Sequence, residues 1–232
     1  MEKQKREKII KIILEIILIV LILIILNIIY KFFIIQKIWD ANHIFSTNYL
    51  LIEERKIQNE NEETIYGLIK DYYKDGKFKK EQGNSYSYEI FRPERLSYAI
   101  DTETKEYSKL PPALLENWVT NIELPTFLPD TARKRFTTFI IGKTVFDTEE
   151  YEGQKYYTLS YEASKETNYS TIKVWIDKET CRVVRTEIID IKGDYNVSDY
   201  TLKLNGATDK DLEMPDLTEY IEKPINYSTE NL

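Results

Sequence analysis

Few side chains in this sequence can do chemistry. The single cysteine, Cys181, sits in VWIDKETCRVV, three residues after Lys178 and directly before Arg182 and two valines. A thiol there is a candidate nucleophile, lipid attachment point or metal ligand, and neighbouring cations favour the thiolate that all three roles use. The other reading is an ordinary residue beside a turn. TIKVWID alternates, with Ile172, Val174 and Ile176 on one face and Trp175 on the other. DKET then turns the chain, and Val183 and Val184 resume apolar character in the strand that Cys181 opens. No histidine lies near in sequence, and we take the second reading. The only histidine, His43, would have to serve a Ser/His/Asp triad from a helix beside the membrane, far from most strands. Glu149–Glu150 is a carboxylate pair in a region rich in acidic turns, where a solvated face explains it. G-x-S-x-G, H-E-x-x-H, P-loop and C-x-x-C spacings are absent. The sequence therefore reads as non-catalytic, with no metal site and no cofactor. The sequons at Asn168, Asn196 and Asn226 matter only in a eukaryotic secretory protein.

The elements that would position these residues begin with composition. The chain has 232 residues, 42% hydrophobic and 31% charged, with 18 tyrosines, nine phenylalanines and only seven glycines. That length suits one medium domain with an appendage. Enough apolar surface is present to offset chain entropy, and the aromatic and β-branched content leans toward sheet. A lone cysteine forms no internal disulfide. Abundant isoleucine, lysine and asparagine match an AT-rich bacterial coding bias.

From Ile9 to Tyr30 the chain is overwhelmingly Ile, Leu and Val, interrupted by Lys11, Glu15 and Asn27. About twenty such residues span a hydrocarbon core of about 30 Å. The run is longer than a secretory apolar region and lacks a small-residue cleavage site, so it reads as an uncleaved, single-pass signal anchor. No cysteine follows it to carry a lipoprotein acyl group. Lys3, Lys5, Arg6, Lys8 and Lys11 precede the span, and mainly Lys31 and Lys37 follow it, which places the N-terminus in the cytosol and the rest outside. The expected organisation is a cytosolic segment 1–8, an anchor 9–35, an extracytoplasmic domain 36–221 and a tail 222–232. Residues 1–35 hold six of the 32 basic and three of the 39 acidic side chains, so the remainder carries 26 against 36, a net −10. Such a domain is repelled by nucleic acid and by anionic head groups unless something hydrophobic draws it to the membrane.

Beyond the anchor the spacing of Ile34, Ile38, Ala41 and Phe45 predicts a helix continuing to about Ser46. The period then changes to two. Successive hairpins follow, turning at QNENE, KDG, QGN and TETK. In SYSYEIF, Tyr86, Tyr88 and Ile90 share a face opposite serines and Glu89. In RLSYAID, Leu96, Tyr98 and Ile100 share one. The proline-rich middle predicts a helix after Pro112 with the stripe Leu114, Leu115, Trp118 and Val119, and a short helix after Pro129. The stripe is either core packing or a lid. Strands then resume from FTTFIIGKTVFDTEE to YNVSDYTLKL, turning at YEGQ, KETN, KET and KGD. About eleven strands without crossovers predict a mainly β fold with flanking helices, a curved antiparallel incomplete barrel with a helical lid. The acidic tail DLEMPDLTEYI should pack a turn or short helix against a sheet edge.

The stretch from GKTVFDTEE to RVVRTEIID resembles the outer-membrane lipoprotein carrier (LolA-like) superfamily. Members carry a strand reading roughly v-W-I-D followed by K-x-T-G. Here these are Val174, Trp175, Ile176, Asp177, Lys178 and Thr180, with Cys181 where glycine is usual. YYKDGKFKKE resembles the family's second hairpin, and the resemblance covers about residues 36–221. It implies strongly bent strands with an apolar concave face, helices over the mouth, and acyl chains bound between. The expected groove combines Leu114, Leu115 and Trp118 with Tyr86, Tyr88, Ile90, Leu96, Tyr98, Ile140, Tyr157, Leu159 and Tyr161, each on the more apolar face of its run. A carrier must move freely, whereas this chain is fixed by its helix. Two functions follow as expectations. One is a membrane-anchored protein binding lipid or an acylated protein. The other is an interaction or sensor domain working with an envelope protein partner, its interior filled by its own side chains. A cavity lined with apolar groups separates the first from the second.

Overall fold

The computed structural model describes residues 2–59, 62–91, 95–111, 116–162 and 169–224. Helix α1 (Glu2–Asn42) runs without a break from the basic N-terminus through the apolar run. From Lys8 it is long and apolar enough to cross a membrane. Its last turns are different in character. Ile34, Ile35 and Ile38 are buried in the folded domain, whereas Phe33 is exposed.

Strands β1 (His43–Phe45), β2 (Asn48–Asn59), β3 (Glu62–Lys74), β4 (Lys77–Gln82), β5 (Ser85–Ile90), β6 (Leu96–Asp101) and β7 (Glu106–Leu110) follow. Then come α2 (Glu116–Thr120), β8 (Asn121–Glu123) and α3 (Ala132–Ile140). The chain closes with β9 (Thr144–Tyr151), β10 (Gln154–Glu162), β11 (Tyr169–Asp177), β12 (Val183–Asp190), β13 (Tyr195–Leu204) and β14 (Ile221–Glu222). Twelve strands form one curved, unclosed sheet in the order β14-β7-β6-β5-β4-β3-β2-β13-β12-β11-β10-β9. β1 and β8 pair apart from it.

All eleven expected strands are present in the large sheet, and β14 makes the twelfth. Local chemistry fixes two of the hairpins. Asp75 and Gly76, and again Glu152 and Gly153, all have positive φ, the two-residue geometry whose twist matches the flanking strands. The acidic tail does dock on an edge. Two short 3₁₀ turns, Lys210–Leu212 and Leu217–Glu219, lead to β14, which pairs parallel with β7. The sheet thus takes in Glu222, one residue past the expected end of the domain.

Two expectations are corrected. The helix stops at Asn42 instead of about Ser46, and His43 belongs to a strand. Asn42 is fully buried and its carbonyl accepts from Leu124 N, which bends the chain into the β1–β8 pair. The segment FTTFI is helical in α3, whereas the sequence predicted a strand. Thr131 caps the helix through Lys134 N, and Thr137 and Thr138 bond back to earlier carbonyls. Tertiary contact supplies the rest. The buried Arg135 guanidinium stacks on Trp39 at 4.1 Å and donates to Gln36 Oε1 and to the carbonyls of Pro129 and Asp130.

Candidate functional site

Cross-strand partners share a face of the sheet. One face bears α1, α2 and α3; the other bears the C-terminal segment around Leu212. On the helix-bearing face of β9–β12, Ile34, Ile35 and Ile38 pack with Leu159, Val174, Ile176, Phe146 and Val183. A second cluster continues it over β2–β4, with Tyr49, Tyr73 and Phe78 against Val119 and Ile122. Leu51 and Leu202 touch both clusters. The apolar interior is therefore occupied by the end of α1 itself.

Further along the same face, over β4–β7, packing gives way to an open trough of about 410 Å³. Lys80, Gln82, Ser85, Ser87, Asp101 and Ser108 supply donors and acceptors, and Tyr86, Tyr107 and Lys223 reach its margin. At the inner end Lys80 lies 3.5 Å from Asp71, whose carboxyl is pushed up by burial and partly restored by that lysine. Beside it Glu89 is 6% exposed, its Oε2 has no hydrogen-bond partner, and burial pushes its carboxyl up. Ser87 stands opposite Lys80 in the register.

The other chemically interesting residues have structural roles. Cys181 is half-buried at φ 57°, and burial raises its thiol. Its N–H donates to Asp177 O, and Asp177 Oδ1 accepts from Thr180 N and Oγ1. This is a turn, with β12 opening two residues later at Val183 and not at Cys181. His43 stacks on Trp39 at 3.6 Å, and its Nδ1 lies 2.8 Å from Trp39 O. Glu149 and Glu150, adjacent in β9, point to opposite faces, and Glu149 is engaged by Lys173 and Thr158.

The predicted groove residues do not come together. Tyr157, Leu159 and Tyr161 lie on the helix-bearing face, with Leu159 fully buried. Tyr86, Tyr88, Ile90, Leu96 and Tyr98 lie on the other. The register Tyr72–Lys79–Tyr88–Tyr98 places them with Tyr72, which packs on Ala207 and Leu212. Tyr88 Oη donates to Leu212 O at 2.7 Å. The more apolar face of β5 and β6 is covered by the C-terminal segment, a tertiary choice that alternation alone does not reveal. Ile140 is exposed on α3 and Trp118 is exposed on α2. Leu114 and Leu115 lie outside the described residues. Sequence reasoning missed the trough. Its signal was the serines and Glu89 facing away from the tyrosines in SYSYEI.

No family model and no curated protein sequence matches the chain. Solved structures do. An outer membrane lipoprotein-sorting protein domain from Vibrio parahaemolyticus is 14% identical, over 78% of this chain and 95% of that one, with a TM-score of 0.32. A LolA superfamily protein from Nitrosomonas europaea is 13% identical, over 77% and 97%, with a TM-score of 0.24. MucB of Pseudomonas aeruginosa, in its complex with MucA, is 10% identical, over 81% of this chain and 62% of that one, with a TM-score of 0.35. The chain is thus similar to LolA superfamily structures, as the WID-K-x-T hairpin suggested. At these identities and scores, function has to be read from its own residues.

Proposed function

We propose that the chain is a membrane-anchored, extracytoplasmic, non-catalytic binding domain that holds an extended protein segment in the open trough over β4–β7. One observation carries this reading. The place where an acyl chain would lie between lid and sheet is filled by Ile34, Ile35 and Ile38 of α1. These residues belong to the same helix as the anchor, so vacating the place means pulling the anchor out of the core. Each methylene left without apolar neighbours costs about 0.8 kcal/mol, which an incoming acyl chain would only repay. The open trough, by contrast, sets hydroxyl, amide and charged groups among Tyr86, Ala99, Ile100 and Tyr107, a mixed lining suited to a peptide backbone and its side chains.

The topology rests on the basic residues before the span. Protease added outside intact cells should digest the region after Gln36, and full protection of a C-terminal tag would overturn the orientation. For binding, a photo-reactive residue replacing Ser87 or Ser108 should form adducts with one protein partner. The same residue at Lys203, exposed elsewhere on the sheet, should not. Lipid adducts at Ser87, or an acyl lipid retained by the full chain in native mass spectrometry, would restore the lipid reading.

A further inference from the structure

From the arrangement of α1, α3 and β9 we infer a second membrane contact: the end of α3 and the start of β9 at Val145 rest on the outer leaflet. This deepens the reading of α1 as a membrane span and depends on it. The helix meets the sheet strand by strand. Lys31 Nζ donates to Phe146 O on β9, while Asn42 binds Cys181 O and Val183 N at the start of β12. From Lys31 to Asn42 the helix rises about 16 Å. From β9 to β12 there are three strand spacings, about 14 Å. The strands are therefore stacked along the helix axis, and β9 is the rung nearest the apolar run.

That run ends where the sheet begins. Ile9 to Tyr30 covers about 33 Å of helix, enough for the hydrocarbon core. Lys31 and Phe32 then fall at head-group level, and Ile34 is already inside the domain. No spacer separates bilayer from fold. At this level the domain exposes large apolar side chains. Phe136 packs edge-on against Phe32 at 5.0 Å. Beyond it Ile140, Ile141 and Val145 are 49%, 59% and 53% exposed. The same α3 carries exposed Arg133 and Lys134 ahead of its apolar end, the pairing of basic and apolar groups found on helices that lie in a membrane interface. Two backbone groups in the middle of β9 are already taken, which blunts it as a pairing edge. Lys31 takes the Phe146 carbonyl and Asp147 Oδ1 accepts from Thr148 N. A lipid surface, not an added strand, fits the start of this edge. The contact also answers how a domain of net negative charge stays against the membrane.

The full chain with Cys181→Ser, reconstituted in phosphatidylcholine–phosphatidylglycerol vesicles, tests this. An environment-sensitive fluorophore is attached at Ile141→Cys, at Leu21→Cys within the span, or at Glu103→Cys in the β6–β7 turn. Lipids carrying a nitroxide near the head group should quench the label at 141 several-fold more than at 103, and deep nitroxides should quench the label at 21. Ile140→Asp together with Val145→Asp should cut the quenching at 141 several-fold. Quenching at 141 no stronger than at 103, with 21 still quenched, overturns the contact and leaves the span standing. Shielding of 141 from both iodide and nitroxide lipid, as another protein copy would give, overturns it too. Quenching at 141 that survives the two aspartates belongs to the dye and also overturns it. Loss of quenching at 21 refutes the span itself.

Discussion

The two ends of the large sheet use the same face in opposite ways. Over β9–β12 that face is buried beneath α1, and Leu159, Val174 and Ile176 are fully covered. Over β4–β7 it is open, with Lys80, Ser85, Ser87 and Asp101 set among Ala99, Ile100 and flanking tyrosines. Both halves are antiparallel, but the strands of β4–β7 are 5–6 residues long and those of β9–β12 are 8–9, and what lies above them differs. The anchor helix reaches only as far as β12, and the β1–β8 pair with α2 covers β2–β4. One end of the sheet is packed onto α1, and the other is left available. This division gives the predicted ranking of mutational effects.

The largest effect is expected at Leu159. A glutamate there places a charge in a dry core with no partner, a loss of about 5 kcal/mol or more and comparable to the whole stability of a domain. Circular dichroism should show an unfolded chain. A folded Leu159→Glu variant that binds a fluorescent fatty acid would mean that the packed half is a ligand groove after all.

Asn42 ties the end of α1 to the turn before β12. Its Nδ2 donates to Ile38 O and Cys181 O, and its Oδ1 accepts from Val183 N at 2.8 Å. Asn42→Ala leaves the buried Val183 N–H and the Cys181 carbonyl unsatisfied, so a loss of about 2–4 kcal/mol is expected from urea denaturation. A loss below about 1 kcal/mol would show that the anchor and the packed half are only loosely joined.

In the open half the sign reverses. Glu89 is buried without a partner for Oε2, and burial holds its carboxyl above the ordinary range. The native state therefore binds this proton more tightly than the unfolded chain. Its contribution is most favourable below the unfolded value of about 4 and is lost as pH rises through the native value. Glu89→Gln should gain about 1 kcal/mol at pH 7 and flatten the fall of stability between acid and neutral pH. Asp71, pushed the same way by burial, leaves some slope behind. A variant less stable than the parent at pH 7 would mean that the carboxylate has a partner and that the trough is less open than it looks.

How much of this was legible in the sequence follows the same division. The eleven strands, the turns at KDG and YEGQ and the tail on an edge were readable because each depends on local alternation and on residues tolerating positive φ. The filling of the packed half was half-visible. Ile34 and Ile38 share a helical face, but nothing in the spacing says which sheet face they meet. The face of β5 and β6 was misread because both faces carry usable side chains, and the covering by Leu212 lies more than a hundred residues away. The threonines and isoleucine of FTTFI look like strand, and it is the Thr131 cap together with Arg135's contacts to Trp39 and Gln36 that holds them as helix.

Cys181 gives the smallest effect and the sharpest check on the turn between β11 and β12. Its φ of 57° costs an ordinary residue about 1 kcal/mol and glycine almost nothing. Against that gain, glycine widens the unfolded ensemble by up to about 1 kcal/mol and removes a sulfur that packs against the core cluster. The two nearly cancel, so Cys181→Gly should fall between neutral and about 1 kcal/mol more stable. Cys181→Ser keeps the backbone strain and loses only a half-buried contact, so it should stay within about 1 kcal/mol. Cys181→Val puts a β-branched side chain at positive φ and should be the worst of the three. Thermal denaturation of the three variants orders them directly. If serine leaves the fold intact but abolishes partner binding, the thiol has a chemical role and the turn reading is wrong.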